Sequence, residues 1–301
     1  MTRPARHREV TPLQGSMTAL ITPFKNGKLD EAAFQKLCQW QIDQGTDALV
    51  PVGTTGESPT LSHDEHCRVV ELCIEVAAGK VPVIAGAGSN STAEAIDFAE
   101  RAEQAGADYI LTVSPYYNKP TQEGLYLHFK AIHDSVQIPL ILYNIPGRSI
   151  VDINGETMAR LAKLPRVAGV KDATADLARP PRLRQSCGAD FVQLSGEDAT
   201  ALAYLVQGGV GCISVSSNVA AKELADMHRF YRMGKLAEAQ AINYRLTDLH
   251  EALFIESSPG PVKYAAQLLG LCGAETRLPL APITDATKKR VEAAMAAAGI
   301  K

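Results

Sequence analysis

The stretch Val167-Ala168-Gly169-Val170-Lys171 decides how the rest of this chain is interpreted. Four small or branched apolar residues lead directly into a lysine, and the run is too short for an independent helix. It is typical of a buried strand, so we predict a strand over residues 167–171 that ends in Lys171. If the strand belongs to a parallel barrel, its carboxyl end lies on the face where barrel enzymes keep their catalytic groups.

The lysine at the end of this strand has a specific chemical potential. A lysine held among apolar groups loses affinity for its proton, because burial disfavours the charged form. The unprotonated amine can attack a ketone and form a Schiff base. Lysine is rarely fully buried, however, and one at a strand end more often points into water. The residues that follow the other strands therefore have to distinguish a catalytic Lys171 from a surface one.

Seven further apolar runs alternate with segments of helical periodicity. We predict strands over residues 18–22, 48–52, 81–85, 109–113, 139–143, 191–195 and 210–214. Asp30 is a candidate helix N-cap, and Ser62 with Glu65 and Ser91 with Glu94 have the spacing of capping boxes. Eight strand-then-helix units at a spacing of roughly 25 residues predict an α/β protein built as a (β/α)8 TIM barrel.

The chain is longer than a barrel alone requires. We assign residues 15–233 to the barrel, residues 234–301 to a C-terminal helical extension and residues 1–14 to a loose N-terminal tail. A doubly wound open sheet is the structural alternative, but it normally carries a glycine-rich GxGxxG turn after its first strand. Thr22-Pro23-Phe24-Lys25 is unlike that turn, and Ala85-Gly86-Ala87-Gly88-Ser89 lacks the third glycine.

Composition and charge exclude several classes of partner. The net charge is −3 and no basic stripe is present, so we expect no binding to nucleic acid. No apolar run approaches the ~20 residues of a membrane helix, so we expect no membrane partner. Arg3, Arg6 and Arg8 near the start are not followed by the apolar core of a secretory signal. We therefore predict a cytoplasmic protein.

Cysteines and histidines give no indication of a metal or cofactor. The six cysteines form no CxxC pair and lie mostly in apolar runs, which favours small buried thiols in a reducing compartment. His63 and His66 could share a helical face, but no cysteine or third histidine joins them. We predict a protein with no bound metal and no cofactor.

Unusual polar residues follow the predicted strands and would meet on one face of the barrel. They comprise Gly53-Thr54-Thr55-Gly56-Glu57, Ser114-Pro115-Tyr116-Tyr117-Asn118, Tyr143 with the following Asn144-Ile145-Pro146-Gly147-Arg148, and Ser195-Gly196-Glu197. Each alone has an ordinary explanation as a turn, a packing residue or a surface charge. Together they supply an amine, phenols for proton transfer, hydroxyls for a carboxylate and a guanidinium for a second carboxylate.

With these residues assembled, the chain resembles the pyruvate-dependent aldolase and lyase superfamily that includes N-acetylneuraminate lyase. Within it the chain is most similar to the 4-hydroxy-tetrahydrodipicolinate synthase family, from about Gly15 to the final helix. The motifs that carry the resemblance are GTTGES, SPYYNKP, YNIPGR, VAGVKDAT and GVGCISVSSN, in the family's order and spacing. Ser149-Ile150 departs from it, since the synthases more often have threonine and then a small residue.

The resemblance implies a mechanism and a role for each matching residue. Lys171 would form an imine with pyruvate, and the derived enamine would attack L-aspartate 4-semialdehyde. Tyr143, Thr54 and Tyr117 match the family's proton-transfer residues, Tyr117 reaching into a neighbouring subunit of a homodimer or homotetramer. Thr55 matches the pyruvate carboxylate site, and Arg148 matches the residue that binds the semialdehyde carboxylate. Ile213, through its carbonyl, and Gly196 would complete the substrate site.

A second site is implied by the same resemblance. In synthases inhibited by L-lysine, a crevice at the dimer interface binds that amino acid. The residues that match the crevice are Ser58, His63, His66, Asn90, Glu94 and Tyr116. Glu94 could pair with the ligand's ammonium group, while Asn90 and Tyr116 could hold its carboxylate. We therefore predict feedback inhibition by L-lysine.

Two alternatives remain open on the sequence alone. One keeps the imine but changes the partner, giving an aldolase or dehydratase for a 2-keto-3-deoxy sugar acid. Arg148 disfavours it, because sugar-acid lyases of the superfamily generally lack an arginine there. The other is a non-catalytic barrel that binds an amino acid, which the joint presence of Lys171, Tyr143, Thr54 and Tyr117 disfavours.

Overall fold

A computed structural model describes residues 12–301, and eight parallel strands form its central sheet. The strands are β1 Gly15–Ala19, β2 Ala48–Val50, β3 Ile84–Gly86, β4 Tyr109–Val113, β5 Leu140–Asn144, β6 Val167–Asp172, β7 Val192–Ser195 and β8 Gly211–Ser214. Their order in the sheet is β2-β1-β8-β7-β6-β5-β4-β3. A parallel bridge between Leu49 and Val83 joins β2 to the residues before β3 and closes the ring. The predicted (β/α)8 barrel is confirmed.

Twelve α-helices surround and extend the barrel within residues 12–301. They are α1 Glu31–Asp43, α2 His63–Ala77, α3 Thr92–Ala105, α4 Gln122–Ser135, α5 Pro146–Ser149, α6 Gly155–Leu161, α7 Arg179–Cys187, α8 Ala201–Val206, α9 Ala221–Arg232, α10 Leu236–Ala252, α11 Gly260–Leu268 and α12 Asp285–Ala298. Helix α9 packs on β1, and α10 packs on α9 and α12. The predicted helical extension thus continues the ring of helices after α9.

The barrel interior is a packed apolar core. Its members include Met17, Ile84, Leu111, Ile141 and Ile213, which come from five strands. Alternate residues of each strand point inward, so neighbouring strands contribute side chains to common layers. A second, larger core lies between the strands and the outer helices. Because these interior layers are apolar, we look for reactive polar groups at the strand ends.

Two strands lie away from their predicted positions. The first was predicted at residues 18–22 but spans Gly15–Ala19, because Gly15 N–H donates to the Val210 carbonyl and begins the pairing with β8. The third was predicted at residues 81–85 but spans Ile84–Gly86. Pro82 has no N–H to donate, and before Ile84 the strand-type pairing with β2 is limited to the bridge between Leu49 and Val83.

The N-terminal tail and the cysteines need partial correction. Residues 1–11 lie outside the described part of the chain, but Leu13 is buried in the barrel-interior core, so the last tail residues are not loose. All six cysteines are free thiols; Cys38, Cys73 and Cys212 are buried, while Cys67, Cys187 and Cys272 are half-buried.

No helix between residues 12 and 301 combines the length and apolar composition that a membrane crossing requires. Over the same residues, His, Cys, Asp and Glu side chains nowhere gather in a group of three suited to a metal ion.

Candidate active site

Lys171 lies near the carboxyl end of β6 and points into the barrel mouth. It pairs in register with Tyr143 of β5 on one side and Leu194 of β7 on the other. Only 5% of the Lys171 surface is exposed, and its Nζ lies 4.2 Å from the centre of the Tyr143 ring. The amine forms no ion pair with the residues from 12 to 301. The structure therefore brings together the predicted nucleophile and the predicted proton-transfer phenol.

A network of polar and charged side chains connects the carboxyl ends of β5 and β6. Asn144, directly after Tyr143, donates to Asp152 Oδ1 at 2.7 Å. Arg179 forms ion pairs with Asp152 at 3.0 Å and with Asp172 at 3.2 Å. Burial raises the pKa of Asp172, and the positive charge of Arg179 partly opposes this increase. The two strand ends that carry Tyr143 and Lys171 are thus joined by charged groups.

The predicted carboxylate site forms a 3₁₀ turn, Thr54–Gly56, directly after β2. Thr55 is buried and Thr54 is half-buried. Thr22 Oγ1 donates to the Gly56 carbonyl at 2.7 Å and ties the turn to the end of β1. An added Cβ at Gly86 would lie 2.3 Å from the Val52 carbonyl oxygen, so glycine is required where β3 approaches the turn.

Tyr117 and Arg148 lie on the loops after β4 and β5 and are both exposed. Tyr117 is 88% exposed with φ +71°, so its phenol extends away from its own chain. Arg148 lies in the short helix α5, and its guanidinium pairs with no carboxylate of residues 12–301. The free guanidinium is available to an anionic ligand, whereas the Tyr117 ring is exposed to solvent.

Gly196 and Ile213, which the resemblance assigns to the substrate site, lie directly after β7 and within β8. Ile213 is buried in the barrel-interior core with Tyr143 and Leu194. Gly196 N–H donates to the Asp172 carbonyl at 2.7 Å, and an added Cβ would lie 2.7 Å from the Ala173 side chain. A glycine at position 196 therefore lets β7 end close to the Lys171 strand.

The residues predicted to bind L-lysine form a second cluster between α2, α3 and the loop after β4. His63 Nε2 lies 2.8 Å from Glu94 Oε1, and the other Glu94 oxygen accepts a hydrogen bond from Ser89. His66 is buried and stacks on Phe98 at 4.0 Å. Burial lowers the pKa of His66 to about 4, and the hydrogen bond from Ser89 lowers the pKa of Glu94.

Asn90 connects this region to the loop after β4, which carries Tyr117. Asn90 Nδ2 donates to the Tyr116 carbonyl at 3.2 Å, and Asn118 Nδ2 donates to the Asn90 carbonyl at 2.8 Å. Ser58 lies on the 3₁₀ turn Ser58–Thr60 and makes no hydrogen bond with the other five residues. His63 and Glu94 are joined by a hydrogen bond, and His66 joins them through Phe98, while Asn90 and Tyr116 are hydrogen-bonded to each other. Tyr116 is the neighbour of Tyr117 in the sequence.

One of the two predicted capping boxes is complete and the other is not. Ser62 and Glu65 cap α2 reciprocally, as predicted. Ser91 accepts a hydrogen bond from the Glu94 N–H, but the Glu94 carboxylate does not return to the cap. The Glu94 carboxylate is hydrogen-bonded to His63 and Ser89 instead. The predicted hydrogen bond from the N-cap backbone to Glu94 is therefore wrong.

Comparison with known proteins agrees with this arrangement. Residues 12–298 match the model of the dihydrodipicolinate synthetase family. The 4-hydroxy-tetrahydrodipicolinate synthase of Rhodospirillum centenum is 61% identical over 287 residues, 95% of this chain and 99% of that protein. The chain belongs to the dihydrodipicolinate synthetase family.

Two solved structures of the family are similar over nearly their whole length. Dihydrodipicolinate synthase from Acinetobacter baumannii, solved in complex with pyruvate, has a TM-score of 0.93 and 44% identity over 96% of this chain and 99% of that one. The enzyme from Cyanidioschyzon merolae, solved with lysine bound, has a TM-score of 0.92 and 40% identity, again over 96% and 99%. Both likenesses extend well beyond the strands of the barrel.

The structure also reveals residues near the site to which sequence reasoning assigned no role. Burial and the charge of Asp198 raise the pKa of Glu197, and the charge of Lys171 opposes this shift, so the two groups share one electrostatic environment. Glu57, at the end of the carboxylate turn, is buried against Lys263 of α11. A lone lysine in the apolar run of α11 was the available signal, because lysine is seldom fully buried without a partner.

Proposed function

We propose that this protein is a 4-hydroxy-tetrahydrodipicolinate synthase that condenses pyruvate with L-aspartate 4-semialdehyde through an imine on Lys171. The observation that carries the proposal is the amine of Lys171, 5% exposed and 4.2 Å from the ring centre of Tyr143 at the barrel mouth. Family membership supports the choice of substrates, as does the pyruvate complex of the Acinetobacter relative.

The first chemical step joins the keto acid to the protein. The neutral amine of Lys171 attacks the C2 carbonyl of pyruvate, and loss of one water leaves the imine. Thr55 and the amides of its turn hold the pyruvate carboxylate, while Tyr143 and Thr54 move protons to and from the reacting atoms. Loss of a proton from the pyruvate methyl group then gives an enamine, which is a carbon nucleophile.

The second half of the reaction forms the carbon–carbon bond and frees the enzyme. The enamine carbon attacks the aldehyde of the semialdehyde, whose carboxylate binds the unpaired guanidinium of Arg148. The substrate's amino group then attacks the imine carbon, closes the ring and displaces the amine of Lys171. One water is released over the whole cycle, so no oxidant, reductant or metal is needed to balance it.

Reductive trapping tests the imine directly. Borohydride added with pyruvate should leave a stable adduct on Lys171, visible in the intact mass and located by peptide mapping. Lys171→Ala should show neither adduct nor turnover. An unmodified wild-type protein would favour the non-catalytic amino-acid-binding barrel. A third outcome is an adduct on Lys171 together with cleavage of a 2-keto-3-deoxy sugar acid and no turnover of the semialdehyde. That result would indicate the aldolase or dehydratase for a sugar acid.

The second cluster supports regulation by L-lysine as part of the same proposal. The Glu94 carboxylate would pair with a ligand ammonium group, and Asn90 and Tyr116 would bind its carboxylate. The lysine complex of the Cyanidioschyzon relative supports this choice of ligand. Titration calorimetry should detect L-lysine binding at millimolar concentration, and the absence of heat there would refute the site.

The exposed Tyr117 supports assembly into at least a homodimer, with the tetramer as the larger alternative. A phenol that is 88% exposed in one chain can reach a neighbouring active site only if two chains pair. Sedimentation should show a dimer or tetramer, and a fully active monomer would contradict the assigned role. The same proposal includes a boundary between the barrel and the C-terminal extension after residue 233. It also includes a cytoplasmic location.

A further inference from the structure

A fully buried ion pair joins the C-terminal extension to the barrel. Lys263 of α11 and Glu57 both have side chains with 0% exposure, and Nζ lies 2.6 Å from Glu57 Oε1. Burial lowers the pKa of Lys263, and the Glu57 carboxylate opposes that shift. Buried pairs add little to stability, since desolvation offsets much of their attraction. Stability alone is therefore a weak explanation for this pair.

Glu57 is the last residue of the turn that carries the two threonines of the active site. Its N–H donates to the Thr54 carbonyl at 3.1 Å, and its φ is +54°. Val52, at the other end of the turn, also has a positive φ, +49°. Such conformations persist in residues other than glycine only where the surroundings fix them. The side chain of Glu57 is therefore a point at which this turn can be held from outside.

Both carboxylate oxygens of Glu57 are held by the extension. Oε1 accepts from Lys263, and Oε2 accepts from the Arg277 N–H at 3.0 Å. The Arg277 guanidinium is fixed in turn by two 2.6 Å contacts with Glu65. The Phe24 ring lies 4.2 Å from Lys263 Nζ and 4.2 Å from the Arg277 guanidinium carbon, which completes a closed cluster.

We infer that Lys263 is a positioning residue that acts through Glu57 to hold Thr54 and Thr55 in the geometry required for pyruvate. The inference rests on the proposed function, because that function assigns the carboxylate site and the proton relay to these threonines. The extension contributes to catalysis by fixing one turn of the site, although neither Lys263 nor Glu57 touches the reacting atoms.

A purely structural role predicts a different pattern of kinetics. A variant that only destabilises the fold lowers the amount of active protein and leaves both KM values unchanged. A displaced turn changes the binding of pyruvate and leaves the semialdehyde site at Arg148 intact, because Arg148 lies on a different loop. The two substrates therefore separate positioning from stability.

The test compares Lys263→Met with the double variant Lys263→Met/Glu57→Gln. The single variant leaves a buried carboxylate without its cation and should lower the melting temperature. The double variant removes that unpaired charge, so its melting temperature should return towards that of the wild type. Loss of a charged hydrogen bond at the turn predicts a pyruvate KM raised about tenfold in both variants. The semialdehyde KM should stay within about twofold.

Val291→Ala provides the matched stability control, since Val291 is fully buried in α12 and is not part of the turn cluster. It should lower the melting temperature while leaving both KM values unchanged. A double variant with wild-type pyruvate KM would overturn the positioning role even if Lys263→Met fails to fold. If wild-type protein gives no borohydride adduct with pyruvate, the proposed function fails independently of this result.

Discussion

The substitution Gly169→Ala tests whether the distance between β6 and β7 determines the position of the Lys171 amine. An added Cβ at Gly169 would lie 2.1 Å from the Val192 carbonyl oxygen and 2.6 Å from the Val192 Cβ. The nearest atoms would have to separate by about 1.3 Å to reach an ordinary van der Waals distance of 3.4 Å. Gly169 pairs with Val192, and Lys171 pairs with Leu194 in the same register. The separation is therefore transmitted directly to the lysine.

Two magnitudes follow from that displacement. Overpacking of this kind costs about 1–3 kcal/mol of unfolding free energy. A displacement of about 1 Å at a reacting group can lower the rate about 100-fold. We expect Gly169→Ala to fold with reduced stability and to form the pyruvate imine about 100-fold more slowly than the wild type.

The assay measures the rate of borohydride trapping at subsaturating pyruvate, with the adduct detected in the intact mass. Urea unfolding of the same samples measures their stability. Gly155→Ala is the matched control, because no atom lies within 4 Å of its added Cβ at the start of α6. It should trap pyruvate at the wild-type rate. Equal rates for Gly169→Ala and wild type would refute the reasoning that β6–β7 contact places the Lys171 amine.

Three further predictions address the second substrate, the inhibitor and pH. Arg148→Ala should raise the semialdehyde KM at least about tenfold, since a charged hydrogen bond is lost, and should leave pyruvate trapping unchanged; an unchanged KM contradicts the assignment. Glu94→Gln should weaken L-lysine inhibition about tenfold or more in the same assay with basal turnover retained, whereas Glu100→Gln, exposed on the same helix, should not. Acidification should lower the free energy of unfolding between pH 6.5 and about 4. Burial lowers the pKa of His66 to about 4 and that of His228 to about 3, so only the unfolded state takes up protons there. Each group contributes up to about 1.4 kcal/mol per pH unit, and urea unfolding of His228→Gln should show a smaller slope.

The strands could be predicted because apolar runs of four to six residues recur at regular intervals. Their exact ends depended on partners far away in the sequence. The first strand begins at Gly15 because its N–H meets the carbonyl of Val210, 195 residues later. The apolar run alone does not reveal such a partner, and it predicts residues 18–22 instead of Gly15–Ala19. Length and local pattern fix the existence of a strand better than its register.

The candidate site divides in the same way. Lys171 and Tyr143 are close because their strands are neighbours in register, which the order of a barrel implies once the strands are known. The pairing of Glu57 with Lys263 joins residues 206 positions apart and depends on how the extension folds back. In the sequence, Lys263 is one charge in an otherwise apolar run, which predicts no partner. Its partner became identifiable when the structure placed α11 beside the turn.

Backbone strain at the strand ends gives a physical reason why the extension and the loops matter to the site. Eight residues other than glycine have positive φ within residues 12–301, and six lie on loops that follow β2, β4, β5 and β6. These are Val52, Glu57, Tyr117, Lys119, Ile150 and Ala175. Each such conformation costs on the order of 1–3 kcal/mol and persists only where its surroundings determine it. At Glu57 those surroundings are Lys263 and Arg277, and beside Tyr117 they include the hydrogen bond from Asn118 to Asn90. The C-terminal extension therefore holds the strained residue at the end of the Thr54–Gly56 turn, and Asn90 holds the residue beside Tyr117.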